Sequence, residues 1–190
     1  MKHSVTTLFL LAFVAMFVPY QSQAQDDATM AMMMPGPEHK LLERFAGDWD
    51  VEVRMWFPGM DMQESKTTEH SKVIFGGRFV HVTSTMDWMG TEVETIEYMG
   101  FNKATKKYEF FRIESMGTSM TKTEGEYNKA DDSFTFHGKD TMPGPDGKMH
   151  EFSYDLIWKF DGDNKYQFTL MWPDETGKLT KMVETTATKK

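Results

Sequence analysis

Arg112 and Glu114 stand two residues apart in YEFFRIES, among aromatic side chains. Residues two apart share one face of a strand, so this pair goes wherever Phe110 goes. With the Phe110 face inward, both charges are buried and must pair. Alternatively, Arg112 meets the carboxylate of a fatty acid or another anion, whose geometry its planar fork matches. With the Phe111 and Ile113 face inward, both are ordinary surface charges. The sequence leaves that choice open. Two aromatic stripes accompany the pair: Phe152, Tyr154, Leu156, Trp158 and Phe160, then Tyr166, Phe168, Leu170 and Trp172. Such stripes can line a pocket, and they can equally fill a core. The candidate ligand-binding residues are Arg112, Tyr154, Trp158 and Phe168, with His81 from RFVHVTSTM.

A second chemistry is soft-metal binding. Met30, Met32, Met33 and Met34 crowd one short stretch, and His39 follows closely. Thioethers with imidazole suit Cu(I), so these five are the candidate metal ligands. Met also fills irregular cores and adaptable surfaces. His70, His81, His137 and His150 show no His-x-His or His-x-x-x-His spacing, and HExxH is absent, which favours surface or hydrogen-bonded histidines over a metal cluster. Enzymatic motifs are missing too. The sequence has no Gly-x-Ser-x-Gly elbow, no phosphate-cradling glycine loop and no Rossmann fingerprint. DGDNKY at Asp161 lacks the glycine a calcium loop needs and reads as a hairpin turn. No catalytic residue and no cofactor is expected.

The whole chain has 190 residues, a formal net charge of −8 and no Cys. Such an acidic surface argues against nucleic acid and anionic membranes as partners. Disulfides and thiolate metal sites are ruled out by composition. Lys2, the apolar run Leu8 to Val18 and the small residues Ser22 and Ala24 predict a secretory signal peptide over residues 1–24. The apolar run is shorter than the ~20 residues of a membrane span. The expected product is a periplasmic or secreted protein cut near Ala24, without stable membrane insertion, monomeric or weakly dimeric. Residues 25–36, QDDATMAMMMPG, show no periodicity and predict a flexible Met-rich leader.

Residues 37–190 predict a single domain. PEHKLLERFAG places Leu41, Leu42 and Phe45 on one helical face, so a short helix is expected from about Glu38 to Phe45. FAGDWDVEVRMWF then alternates: Trp49, Val51, Val53, Met55 and Phe57 take one face, and mostly charged residues take the other. The same texture continues to the C-terminus, as about ten short segments separated by turn-forming stretches of hairpin length. A ten-strand meander has two exposed edges unless it closes on itself. The expectation is an all-β, antiparallel up-and-down barrel with one short N-terminal helix; a two-sheet sandwich is the alternative.

A short helix, then Gly-x-Trp at Gly47, Asp48 and Trp49, then an antiparallel meander resembles the calycin superfamily of lipocalins and fatty-acid-binding proteins. The resemblance implies structural roles for Gly47 and Trp49. Trp49 would close one end of the barrel, covered by a basic residue near the last strand, Lys181 or Lys189. PGPEHKLLERFAGDWDVEV, GGRF (Gly76 to Phe79), ESMGT (Glu114 to Thr118), EGEY (Glu124 to Tyr127) and KMVETTATKK are similar to the bacterial domain of unknown function 1579 family, from about Pro35 to Lys190. That family implies a fold and no established activity. The leading expectation is a non-catalytic binder of a small apolar or amphipathic ligand held in the barrel. The alternatives are periplasmic copper handling through Met and His, and a filled barrel that acts through its outer surface.

Overall fold

The computed structural model describes residues 20–88, 90–144 and 146–190. Most of the expected signal peptide, residues 1–19, lies outside the described residues. The described chain opens with a helix, α1 (Tyr20–Met33). The leader expected to lack regular structure is therefore helical through Met33. Its Gln, Ala and Met are good helix formers despite the missing amphipathic period. Pro35 follows closely, and a residue before proline is driven out of the helical region. Among the described residues, no helix is long and apolar enough to cross a membrane.

The second unit, residues 35–190, is the barrel. A short helix, α2 (Pro37–Leu42), runs into one 3-10 turn, Glu43–Phe45. Pro37 begins α2 where a missing N–H costs nothing. His39 turns back so that its Nδ1 accepts the Gly36 amide at 3.0 Å. Ten strands follow: β1 (Gly47–Met55), β2 (Gln63–Ile74), β3 (Phe79–Trp88), β4 (Thr91–Asn102), β5 (Lys107–Glu114), β6 (Thr121–Asn128), β7 (Ser133–Pro143), β8 (Met149–Phe160), β9 (Lys165–Pro173) and β10 (Leu179–Lys189). Each pairs antiparallel with its sequence neighbours, and β1 also pairs with β10, which closes the barrel. The sandwich alternative is thereby excluded. Closure leaves no unpaired edge.

The alternation of β1 holds residue by residue: Trp49, Val51, Val53 and Met55 are buried, and the residues between them are exposed. Phe45, just before β1, enters the barrel end. Its ring lies 4.9 Å from Phe160, 5.5 Å from Phe134 and 5.9 Å from Tyr166. Trp49 is wholly buried beside it and donates its indole N–H to the Phe45 carbonyl at 2.9 Å. Arg44 fastens the 3-10 turn from outside. It stacks 4.1 Å over the Phe160 ring and grips Asp132 with both terminal nitrogens, at 2.5 and 2.9 Å. Tyr108 adds a hydrogen bond to the Glu38 carbonyl at 3.1 Å. One end of the barrel is therefore packed solid with aromatic side chains.

Gly47 and Lys189 explain the Gly-x-Trp step. The register sets Trp49 directly opposite Lys189, so both side chains project to the same face. The Lys189 ammonium reaches the Trp49 ring at 5.1 Å. Its stem passes over Gly47, where a Cβ would stand only 2.5 Å from Lys189 Cε. Gly47 also has φ +141, open to glycine and unfavourable for other residues. The basic cover is thus Lys189. Lys181 lies over Trp56 instead, at 5.6 Å.

Candidate functional site

Above the aromatic floor the barrel is hollow. A cavity of about 590 Å³ opens between the upper halves of the strands. Its wall has two unlike halves, and strand order explains both. In the ten-strand ring, β2 to β5 lie across from β7 to β10. The β8–β10 side contributes Tyr154, Leu156, Trp158, Phe168, Leu170 and Trp172, with Val183 beside them. The β2–β5 side contributes Thr67, Glu69, Ser84, Thr95, Glu97, Arg112 and Glu114. The β8–β10 side is mainly aromatic and aliphatic; the facing side carries the charged groups and several hydroxyls, with Met86, Trp88 and Val93 among them.

The aromatic wall is tightly made. Tyr154 and Trp172 stack with centroids 5.5 Å apart at 26°. Phe152 sits 4.4 Å from Trp172, and Phe168 lies 4.6 Å from Trp158. Gly138 makes room for Tyr154: a Cβ there would fall 2.1 Å from the phenol ring. At the mouth, Phe57 meets Trp88 edge to face at 4.9 Å. The hairpin loops around this end carry or flank the exposed Met60, Met62, Met116, Met120, Met142 and Met149.

The polar wall resolves the open question about Arg112. The Phe110 face points inward: Tyr108 and Phe110 are buried, and Arg112 follows them into the cavity. Register places Arg112 directly opposite Glu97. Its Nη1 lies 3.7 Å from Glu97, and its Nη2 donates to Glu114 at 2.8 Å. Burial pushes the Glu97 carboxyl above its ordinary value, Arg112 pulls it back and Glu114 pushes it further up.

Glu69 is the second polar centre, and register again puts it inside, directly opposite Trp49. Tyr166 gives its hydroxyl to both Glu69 oxygens at 2.8 Å, and Ser71 donates to one at 3.0 Å. Desolvation, followed by the charge of Glu97, raises the Glu69 carboxyl to about 7, against the opposing hydrogen bonds from Tyr166 and Ser71. Tyr166 is held well above its usual range, chiefly by burial and then by the neighbouring Glu69 charge.

Arg112, Tyr154, Trp158 and Phe168 thus share one cavity wall system. His81 does not. Its strand neighbours Val80 and Val82 are buried inside, so the pleat turns His81 to the outer face, where its ring lies 5.0 Å from Tyr98. The candidate metal ligands belong to two different units. Met30, Met32, Met33 and Met34 are exposed on and just after α1. His39 is buried in the barrel unit, where its Nδ1 accepts from Gly36 and its ring also hydrogen-bonds the Phe101 backbone. Those bonds occupy the lone pair a metal needs. His70, His137 and His150 each bond a separate carboxylate, Asp48, Asp155 and Asp146, on the barrel's outside. Among the described residues, no three His, Asp or Glu side chains gather as a metal site. Sequence reasoning missed Glu69 and Glu97. The signal was present in the pairing: both fall on the inward set once Trp49 and Phe110 fix the registers.

A family model matches residues 34–189. The chain belongs to that family, described as Protein of unknown function (DUF1579). No curated protein matches the sequence. Among solved structures, Rv2717c from M. tuberculosis is similar at TM-score 0.61 and 14% identity, covering 83% of this chain and 99% of its own. The S-type phycobiliprotein lyase CPES from Guillardia theta is similar at TM-score 0.53 and 8% identity, covering 85% of this chain and 96% of its own. Both likenesses support the fold alone.

Proposed function

We propose that this protein is a non-catalytic carrier or sensor that holds a small amphipathic molecule in the barrel. The observation that carries this reading is the cavity itself. Its volume of about 590 Å³ falls among ligand pockets, which span roughly 300–1,000 Å³. A barrel with no ligand to hold would gain stability by filling such a space, since voids cost packing energy. The division of its wall fits a molecule with an apolar body and a polar group. Likeness of fold to a protein described as a phycobiliprotein lyase is consistent with this reading. The signal-like pattern of residues 1–24 supports export, so the ligand would be met in the periplasm or outside the cell.

Trp88, Trp158 and Trp172 line the cavity and report on it directly. Titration with dodecanol, an uncharged amphiphile, should give a saturable change in tryptophan emission at a ratio of one per chain. An emission unchanged up to the solubility limit of dodecanol would contradict the proposal.

A further inference from the structure

We propose that the preferred ligand carries a positive charge, as an amine or quaternary ammonium on an apolar body; this rests on the cavity being a ligand site. One of the alternatives the sequence left open was the opposite, an anion held by Arg112. The geometry argues against that role. Both terminal nitrogens of Arg112 already face carboxylates, Glu97 and Glu114, and its Nε is buried without a hydrogen-bond partner and shielded from an incoming molecule. Nη1 approaches Glu97 only at 3.7 Å, beyond hydrogen-bond range, and an anion that reached it would lie beside two carboxylates.

Charge counting points the same way. Glu69, Glu97, Glu114 and Asp140 line the cavity, and Arg112 is the single basic residue among its described lining. One guanidinium can answer one carboxylate, so the lining holds more carboxyl groups than its own basic residue can neutralise once they ionise. For the inner pair, Glu69 and Glu97, desolvation is the largest influence, and there like charges are poorly screened and a counter-charge counts most. The facing wall supplies the second recognition element. Trp172 stacked on Tyr154, with Trp158 and Phe168 beside them in the lining, supplies aromatic rings of the kind that attract cations. Carboxylates on one side and aromatic rings on the other form the pairing that recognises organic ammonium groups.

The titratable groups predict how pH enters. Glu69 faces Tyr166 and Glu97, with His70 adding a weaker favourable charge; Glu97 faces Arg112 and Glu114. Both carboxyls are held toward the protonated form when the cavity has no counter-charge. A bound cation draws them to ionise and so releases protons, and cation binding tightens as pH rises.

The test compares three twelve-carbon probes at sub-micellar concentration by tryptophan emission: dodecyltrimethylammonium, dodecanol and dodecanoate. The expected result is binding of the cation at least tenfold tighter than either other probe at pH 8. That preference should shrink at pH 6, and in Glu69→Gln/Glu97→Gln at pH 8. Equal affinities, or tighter binding of dodecanoate, would overturn this inference while leaving the carrier reading standing. Failure of all three probes would overturn both. Thermal denaturation of the double variant shows whether its fold persists. The wild-type comparison of head groups decides the matter without it.

Discussion

Tyr166 donates one hydroxyl to both oxygens of Glu69, at 2.8 Å each, inside the barrel and beside the Trp49 plug. Together with the Ser71 hydroxyl, the bond anchors a buried carboxyl. It also joins the solid floor to the hollow above it, because Tyr166 packs on Phe45 and Trp49 and lines the cavity too.

Glu69 makes stability depend on pH. Its carboxyl stands at about 7 in the fold against 4.5 when exposed. The folded state holds this proton more tightly than the unfolded chain. The contribution is therefore complete below pH 4.5 and fades as pH rises through 7, by up to about 3 kcal/mol. Buried His39, held below its ordinary value mainly by desolvation, works the other way: its contribution is complete above 6.5 and fades as pH falls. Glu69→Gln isolates the first effect. Melting curves at pH 5 and pH 8 should show the variant gaining on wild type at pH 8 only. A gain independent of pH would show that Glu69 does not titrate in this window.

Arg112 holds two carboxylates at once, so its loss should also be felt more in base. In Arg112→Met the Glu97 carboxyl loses its main stabilising charge and keeps the repulsion of Glu114. Its folded value rises further above 4.5, and stability falls as pH increases. The expected loss is about 1–3 kcal/mol at pH 8, with much less at pH 5, from urea denaturation. Adding Glu97→Gln should restore part of it. Equal losses at both pH values would place the effect in packing alone.

Gly47 tests the plug. Gly47→Ala imposes an unfavourable φ and drives a methyl into the Lys189 stem. The expected cost is about 1–3 kcal/mol, with increased quenching of Trp49 by acrylamide as Lys189 is pushed aside. In the Lys189→Ala background the collision is gone and only backbone strain remains, so the second change should cost less than the first. Full additivity would mean that Lys189 and Gly47 act independently.

The fold was legible because its wall alternates strongly where the interior is apolar. Trp49 to Met55 on β1 and Tyr154 to Phe160 on β8 declare their inward faces by residue type alone. The polar half of the cavity was hidden for the converse reason. On β2 the inward set is Ser65, Thr67, Glu69 and Ser71, which reads as a solvated face. Only pairing with Trp49 and Val51 turns it inside. Arg112 was legible as a choice between two faces, and its partner Glu97 belongs to another strand. His81 misled because one residue of register exchanges the faces. The helix at Tyr20–Met33 was missed because its composition favours helix while its pattern gives no apolar face.

Leu170 lines the middle of the aromatic wall, opposite Leu156, and offers the most direct test of whether the interior is used. An indole at this position occupies the cavity without removing any polar group. Native mass spectrometry of wild type and Leu170→Trp, taken gently from the producing cells without chelator, should be compared with the denatured masses. Occupancy of the cavity predicts extra mass on wild type that disappears on denaturation and is absent from the variant, with unchanged far-ultraviolet circular dichroism. Two bare proteins, or the same extra mass on both, would contradict it.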